Sequence, residues 1–93
     1  GGQIIREYAS NRQRMDICVI YGNRKYPIEI KLYYGKNTLS DGILQLSEYM
    51  DTIGEKTGWL VIFDRRPEIT SWEEKTYWNT QIVDNKTVNI VGV

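Results

Sequence analysis

Two strongly β-prone runs, "MDICVIY" and "YPIEIKLY", follow each other closely and are separated only by "GNRK". Such runs around a short turn-forming stretch are typical of a β-hairpin. Each run nevertheless carries charge among its apolar residues: Asp16 in the first, Glu29 and Lys31 in the second. Ionised groups are costly to bury unless they are paired or bind a metal. Any fold for this chain therefore has to accommodate a hairpin with charges inside its strands.

The turn of this hairpin decides on which face Asp16 lies. Side chains alternate along a strand, so Glu29 and Lys31 share one face. A two-residue turn at Gly22 and Asn23 places Asp16 directly opposite Glu29, because directly opposed residues share a face. A two-residue turn one position later, or a four-residue loop, places Asp16 opposite Lys31 and diagonal to Glu29. Every even-length loop predicts all three residues on one face, and only an odd-length loop or a bulge would separate them.

Composition narrows the chemistry that such a site can perform. The chain has 93 residues with 12 basic and 12 acidic side chains, so its formal charge is zero and a nucleic-acid partner would need a local basic patch. The absence of histidine excludes histidine-based nucleophilic catalysis and histidine zinc sites. The single cysteine, Cys18, cannot form an internal disulfide and is expected to pack within its strand.

No segment predicts a membrane partner. No apolar run approaches the roughly 18 residues of a spanning helix, and no signal-peptide pattern opens the chain. We expect a cytoplasmic protein in which residues 1–93 form one domain, since there is no repeat or linker-like composition shift. Homo-oligomerisation is left open.

The rest of the chain predicts a mixed sheet with a helix on it. Strands are expected at 3–8, 15–21 and 26–33, followed by a helix whose apolar stripe recurs at intervals of three and four. The stripe is formed by Leu39, Ile43, Leu46, Met50 and Ile53. Asn37, Thr38 or Ser40 could cap the helix, and Gly54 is expected to end it.

The segment after the helix completes a βαβ unit. Five consecutive apolar residues at 59–63 predict a strand covered on both faces, parallel to the strand at 26–33, with a right-handed crossover. A further hairpin is expected to turn at Asp84 and Asn85, and "SWEEK" could form a helical turn before it. The fold class is therefore α/β or α+β.

Asp16, Glu29 and Lys31 on one face would suit hydrolysis of a phosphodiester. Two carboxylates with nearby backbone carbonyls form an all-oxygen site that favours Mg²⁺ or Mn²⁺. A neighbouring lysine can stabilise charge on a phosphate that such a metal binds. The alternative is a solvated strand face with a ladder of weak salt bridges.

The order of these residues resembles the PD-(D/E)XK nuclease superfamily, which has the restriction-endonuclease-like fold. The resemblance rests on Asp16, on "EIK" and on the helix "DGILQLSEYMDTIG" leading into "GWLVIFDRR". It implies that Asp16, Glu29 and the carbonyl of Ile30 bind the metal, that Lys31 is the catalytic lysine, and that Gln45 faces the site. The residue pattern alone leaves Gln45 open as an exposed helix glutamine.

More narrowly, "REYASNRQRMDI", "QLSEYMD" and "LVIFDRRPEITSWEEK" resemble the nuclease-like domain at the C-terminus of certain prokaryotic AAA-type ATPase proteins. This implies an ATPase partner in an upstream domain outside the chain. Many superfamily members carry an N-terminal helix, often with a glutamate near the metal. We expect that helix to be missing here, with Glu7 as an alternative source of its carboxylate.

Two functions follow from the resemblance. The first is a Mg²⁺- or Mn²⁺-dependent nuclease that cuts nucleic acid, with DNA as the expected substrate. The second is an inactive nuclease-like module that binds nucleic acid or docks onto the ATPase. Several arginines could contact phosphates or merely be solvated at strand ends: Arg12, Arg14, Arg24, Arg65 and Arg66.

Overall fold

A computed structural model describes residues 2–7, 14–65 and 76–93 and contains, within them, six strands and one helix. Their bounds in chain order are β1 Gly2–Glu7, β2 Arg14–Tyr21, β3 Arg24–Leu32, α1 Thr38–Ile53, β4 Thr57–Phe63, β5 Tyr77–Val83 and β6 Lys86–Gly92. The strands form one mixed sheet in the order β1-β2-β3-β4-β6-β5. The expected α+β architecture is confirmed in this form, whereas "SWEEK" lies outside the described residues.

The β2–β3 hairpin has the shortest of the expected turns. Tyr21 pairs with Arg24, so Gly22 and Asn23 form a two-residue loop. Gly22 has φ +61°, a left-handed value that costs glycine little because it has no Cβ. A positive φ at the first central position alone is typical of a type II′ turn, whose twist matches that of the flanking strands.

Helix α1 connects two parallel strands, as the βαβ prediction requires. β3 pairs with β4 in parallel, and β4 pairs with β6 in parallel. Asn37 occupies the N-cap position without a side-chain capping bond, and Gly54 ends the helix with φ +76°. The turn before the helix is held by Thr38, whose Oγ1 accepts a hydrogen bond from the Tyr34 amide at 2.9 Å and donates one to the Gly35 carbonyl at 2.8 Å.

The hydrophobic core lies between α1 and the sheet. Its fully or almost fully buried members are Leu46, Met50, Leu60, Ile62, Val88 and Ile90. The predicted stripe is only partly correct: Leu46 and Met50 are buried, but Leu39 at the start of the helix is 38% exposed. Cys18 is buried, as expected for a packing residue.

The prediction that β4 is covered on both faces holds fully for the face beneath the helix and only in part for the other. Gly58, Leu60 and Ile62 are buried beneath the helix, while Trp59 and Val61, which point to the other face, are half-buried. The apolar run reflects one packed face and one face that is apolar but more open. Such a run does not distinguish this arrangement from a strand enclosed on both sides.

The second hairpin turns where the sequence predicts. Asp84 and Asn85 have φ values of 49° and 64°, the left-handed conformation at both central positions of a type I′ turn. Lys86, directly after the turn, is 3% exposed, and its Nζ donates to Asp51 Oδ1 at 2.7 Å and to the Ser47 carbonyl at 3.3 Å. This pair attaches the start of β6 to the last turns of α1.

Among the residues described, α1 is not of the length and apolar character needed to cross a bilayer.

Gly42 permits close approach of the helix to the sheet. A Cβ at this position would lie 2.8 Å from Leu60 Cδ1 and 3.0 Å from Lys31 Cδ. Alanine would gain about 1 kcal/mol in helix propensity, but overpacking a buried site typically costs about 1 to 3 kcal/mol. We therefore expect Gly42→Ala to lower the free energy of unfolding by about 1 kcal/mol, as measured by urea denaturation.

Glu48→Ala at an exposed position of the same helix is the matched control, with an expected change within about 0.5 kcal/mol. A Gly42→Ala variant as stable as the wild type would contradict the close packing inferred for this site.

Candidate functional site

Asp16, Glu29 and Lys31 lie together on the face of the sheet that the helix covers. Asp16 pairs directly with Glu29 across the β2–β3 ladder. Glu29 and Lys31 are in register with Leu60 and Ile62 of the adjacent parallel strand. Leu60 and Ile62 belong to the core beneath α1. The same-face prediction is confirmed, in the alternative that sets the two carboxylates directly opposite each other.

These three charged residues are buried. Asp16 is 9% exposed, and Glu29 and Lys31 are 0% exposed. The alternative of a solvated strand face with weak surface salt bridges is therefore wrong. None of the three is isolated, since each interacts with other groups of the chain. Burial strengthens such interactions because the effective dielectric constant is lower than in water, and it makes the loss of any one partner costly.

Gln45 contacts Lys31 and is not a fully exposed helix glutamine. The Lys31 Nζ donates a hydrogen bond to Gln45 Oε1 at 2.6 Å. Gln45 is near the middle of α1 and is half-buried. The helix thus contributes a polar group directly to the lysine, through the side chain that the resemblance singles out. Tyr49, one turn further on, is 5% exposed and has partners within the chain.

Tyr34 is a site residue that the sequence analysis missed. Lys31 Nζ lies 5.0 Å from the centroid of the Tyr34 ring, within the range of a cation–π interaction. The Tyr34 hydroxyl donates a hydrogen bond to Asp41 Oδ2, and this bond, with lesser contributions from burial and from the negative charge of Asp41, raises the pKa of Tyr34 to about 12. Tyr34 follows the end of β3, where strand alternation no longer indicates which way a side chain points.

Two further predicted groups are the backbone carbonyl of Ile30 and the carboxylate of Glu7. The side chain of Ile30 alternates away from Glu29 and Lys31, so only its backbone carbonyl can contribute to a site on the helix-covered face. Glu7 pairs directly with Asp16 in the β1–β2 register. The side chains of Glu7 and Arg14 lie outside the described part of the structure, as do Arg12 and Arg66 entirely.

The residues present fit a small, hard divalent cation through their donor chemistry. Directly opposed side chains in an antiparallel pair have Cβ atoms about 4.5 to 5.5 Å apart, close enough for two carboxylates to bind one ion. Within residues 2–7, 14–65 and 76–93, no group of three or more acidic, cysteine or histidine side chains is arranged to hold a metal. The resemblance to the PD-(D/E)XK superfamily would add the backbone carbonyl of Ile30 to the two carboxylates.

A separate surface hollow lies at the other end of β3. Its lining includes Arg24, Lys25, Tyr26, Glu55 and Trp59, with the Tyr26 and Trp59 ring centroids 5.7 Å apart. It contains neither carboxylate of the pair nor Lys31. The charged residues of interest are thus gathered beneath the helix and not in this hollow.

Comparison with known proteins adds no relative. No family model matches the chain, and neither the curated proteins nor the solved structures gave a match. The relationship to the PD-(D/E)XK superfamily stays a prediction that rests on the residues quoted above.

The contact between Lys31 and Gln45 can be tested through stability. A hydrogen bond to a charged group contributes about 1.5 to 3 kcal/mol, and more is lost when the charge stays buried without its acceptor. We expect Gln45→Leu and Lys31→Met each to lower the free energy of unfolding, and the double variant to lose at least about 1 kcal/mol less than the sum. A double-mutant cycle from denaturant titrations measures this coupling.

Glu48→Leu, on the exposed side of the same helix, is the control partner for Lys31→Met, and that pair should be additive within about 0.5 kcal/mol. Additivity of Lys31→Met with Gln45→Leu would contradict the hydrogen bond.

Proposed function

We propose that this domain is a metal-dependent nuclease of the PD-(D/E)XK superfamily that hydrolyses phosphodiester bonds, with DNA as the expected substrate. One observation carries the proposal. Asp16 lies directly opposite Glu29, and Lys31 follows two residues later on the same face, with all three buried. A 93-residue domain has little stability to spare for three buried charges. A catalytic role gives a reason for keeping them.

The order of elements supports the restriction-endonuclease-like core that the resemblance implies. The hairpin of β2 and β3 carries the charged residues, α1 follows with Gln45, and β4 returns parallel to β3. This order gives the lysine two neighbours of different kinds, a carboxylate pair on the sheet and an amide on the helix. The fold alone does not imply activity, so the argument depends on these side chains.

Asp16, Glu29 and the carbonyl of Ile30 would hold Mg²⁺ or Mn²⁺. When bound, the metal lowers the pKa of a coordinated water and neutralises charge on the phosphate. Lys31 supplies ammonium donors for a phosphate oxygen whose negative charge grows during the reaction. Gln45 accepts a hydrogen bond from one of the Lys31 N–H groups and so fixes the direction of the other two. A fixed donor loses less reorganisation energy during the reaction than a mobile one.

The charge distribution at the site end of the sheet is compatible with a phosphate partner. Arg65 is exposed and follows β4, whose end lies beside that of β3, since Leu32 pairs with Phe63. Arg24 lies at the opposite end of β3, beside the hollow described above. Of these two arginines, Arg65 is therefore the better placed to contact a phosphate near Lys31.

One observation favours the second candidate, an inactive nuclease-like module. Glu29 and Lys31 are closed to solvent in this conformation, so a substrate phosphate reaches Lys31 only after a rearrangement. In a module that has lost activity, the same residues would serve as a buried ionic cluster. Such a module would bind nucleic acid or dock onto an AAA-type ATPase, the partner that the resemblance implies.

Metal binding provides a test that does not require a substrate. A ligand that binds only the folded state at about 100 times its Kd stabilises it by about 2.7 kcal/mol. Mg²⁺ or Mn²⁺ should therefore raise the Tm of the wild type and have little effect on Asp16→Asn or Glu29→Gln. Asp84→Asn, in the distant β5–β6 turn, is the control and should respond like the wild type. An equal shift in all four proteins would contradict a metal site at the carboxylate pair.

Cleavage itself is tested with supercoiled plasmid DNA and the full-length protein. With Mg²⁺ or Mn²⁺ we expect nicking by the wild type and by Asp84→Asn, with a loss of about 100-fold or more for Asp16→Asn and Lys31→Met. Both variants remove the charge while nearly keeping the side-chain volume, so they leave no large cavity, and urea denaturation of each variant confirms that it is folded under the assay conditions. No metal-dependent nicking, or nicking that survives both substitutions, would reject the enzyme in favour of the binding module.

A further inference from the structure

An aromatic and an acidic residue, Tyr34 and Asp41, form a hydrogen-bonded pair beside the site, where β3 connects to α1. Tyr34 is 38% exposed, whereas Lys31 is buried. The backbone amide of Tyr34 is bound by Thr38, its hydroxyl by Asp41, and its ring lies beside the Lys31 ammonium. Tyr34 is thus held at its backbone and at its hydroxyl, and its partly exposed ring lies beside the buried lysine.

Asp41 and Gln45 are four residues apart on α1, so they lie one turn apart on the same face of the helix. Between them is Gly42, where a Cβ would lie 3.0 Å from Lys31 Cδ. The lysine stem therefore passes close beneath the helix at the one position without a side chain. Its ammonium contacts Gln45 Oε1 on the helix and lies beside the ring of Tyr34, which follows the end of β3.

We propose that Tyr34, held by Asp41, is a positioning residue that fixes the Lys31 ammonium from the solvent side, while Gln45 fixes it from the helix side. This inference rests on the proposed function, because it assigns Tyr34 to the lysine of that same site. Tyr34 acts through Lys31 and is not itself a catalytic residue.

Asp41 contributes by orienting the phenol. Its carboxylate accepts the phenolic hydrogen, which raises the pKa of Tyr34 to about 12, so the ring stays neutral well above physiological pH. The face of a neutral aromatic ring is electron-rich and attracts a cation without forming a salt bridge. The ring therefore holds Lys31 without taking up one of its N–H donors.

The ring and the hydroxyl can be separated by substitution. Tyr34→Phe keeps the ring and loses only the bond to Asp41, whereas Tyr34→Leu removes the aromatic face. Asp41→Asn keeps the ring and weakens its attachment. Positioning by the ring predicts that Tyr34→Leu has the largest effect, with Tyr34→Phe and Asp41→Asn intermediate.

The first experiment observes the lysine directly in the full chain. The ¹⁵N signal of a lysine ammonium is sharp when the group is immobilised and protected, and is lost when it moves and exchanges freely. We expect a sharp Lys31 signal in the wild type, a broadened one in Tyr34→Phe and Asp41→Asn, and none in Tyr34→Leu. Lys86, buried and paired with Asp51 at a different site, is the internal reference and should be unchanged in all four proteins.

The second experiment measures cleavage kinetics with the same variants. Loss of a positioning contact lowers kcat and leaves KM nearly unchanged, because the substrate itself has not lost a contact. We expect kcat to fall about tenfold in Tyr34→Leu and about threefold or less in Tyr34→Phe, equivalent to about 1.4 kcal/mol for the tenfold change.

The outcomes separate this inference from the proposed function. A Lys31 signal in Tyr34→Leu as sharp as in the wild type overturns the positioning role, whether or not the wild type cleaves DNA. A wild type without cleavage overturns the nuclease proposal, while the ammonium signals still decide the role of Tyr34. If Tyr34→Leu also loses the Lys86 signal, it has not folded, and Asp41→Asn then decides: an unchanged Lys31 signal there overturns the proposal.

Discussion

The register between β2 and β3 is the constraint on which the rest of the site depends. It follows from a two-residue turn in which Gly22 takes a left-handed conformation. A slip of one residue would move Asp16 to the opposite face and leave Glu29 and Lys31 without it, because side chains alternate along a strand. The turn therefore determines more than the path of the chain. It brings the two carboxylates into direct opposition.

The helix completes what the hairpin begins. It packs over Lys31, contributes Gln45 to it, and approaches the sheet closely at Gly42. A larger residue at position 42 would separate the helix from Leu60 and from the lysine stem together. Packing and polar geometry are thus coupled at one position, so the site cannot be altered on the helix side without an effect on the core.

Much of this arrangement can be predicted from the sequence, because it depends on local features such as strand alternation and turn length. Alternation and turn length predict the shared face of Asp16, Glu29 and Lys31, and a left-handed Gly54 ends the helix where a C-terminal glycine is expected. The paired Asp84 and Asn85 likewise indicate the second turn. These features depend on a few neighbouring residues and hardly on the rest of the molecule.

Other features depend on contacts between distant segments, and these could not be predicted. Burial of Glu29 and Lys31 depends on where α1 lies over the sheet, and strand propensity does not predict that position. The contact of Tyr34 with Lys31 depends on the path of the chain after β3 ends. Leu39 continues the apolar period of the helix but is 38% exposed, so periodicity wrongly assigned it to the core.

The attachment of Lys86 to the last turns of α1 has a consequence for the order in which the domain assembles. Ser47 and Asp51 are 39 and 35 residues before their partner in the chain. The helix that carries Gln45 therefore obtains its full anchorage only after β6 has been synthesised, and Val88 and Ile90 add their packing at the same stage. During translation, the hairpin with its carboxylates therefore emerges before the strand that completes the anchorage of the helix.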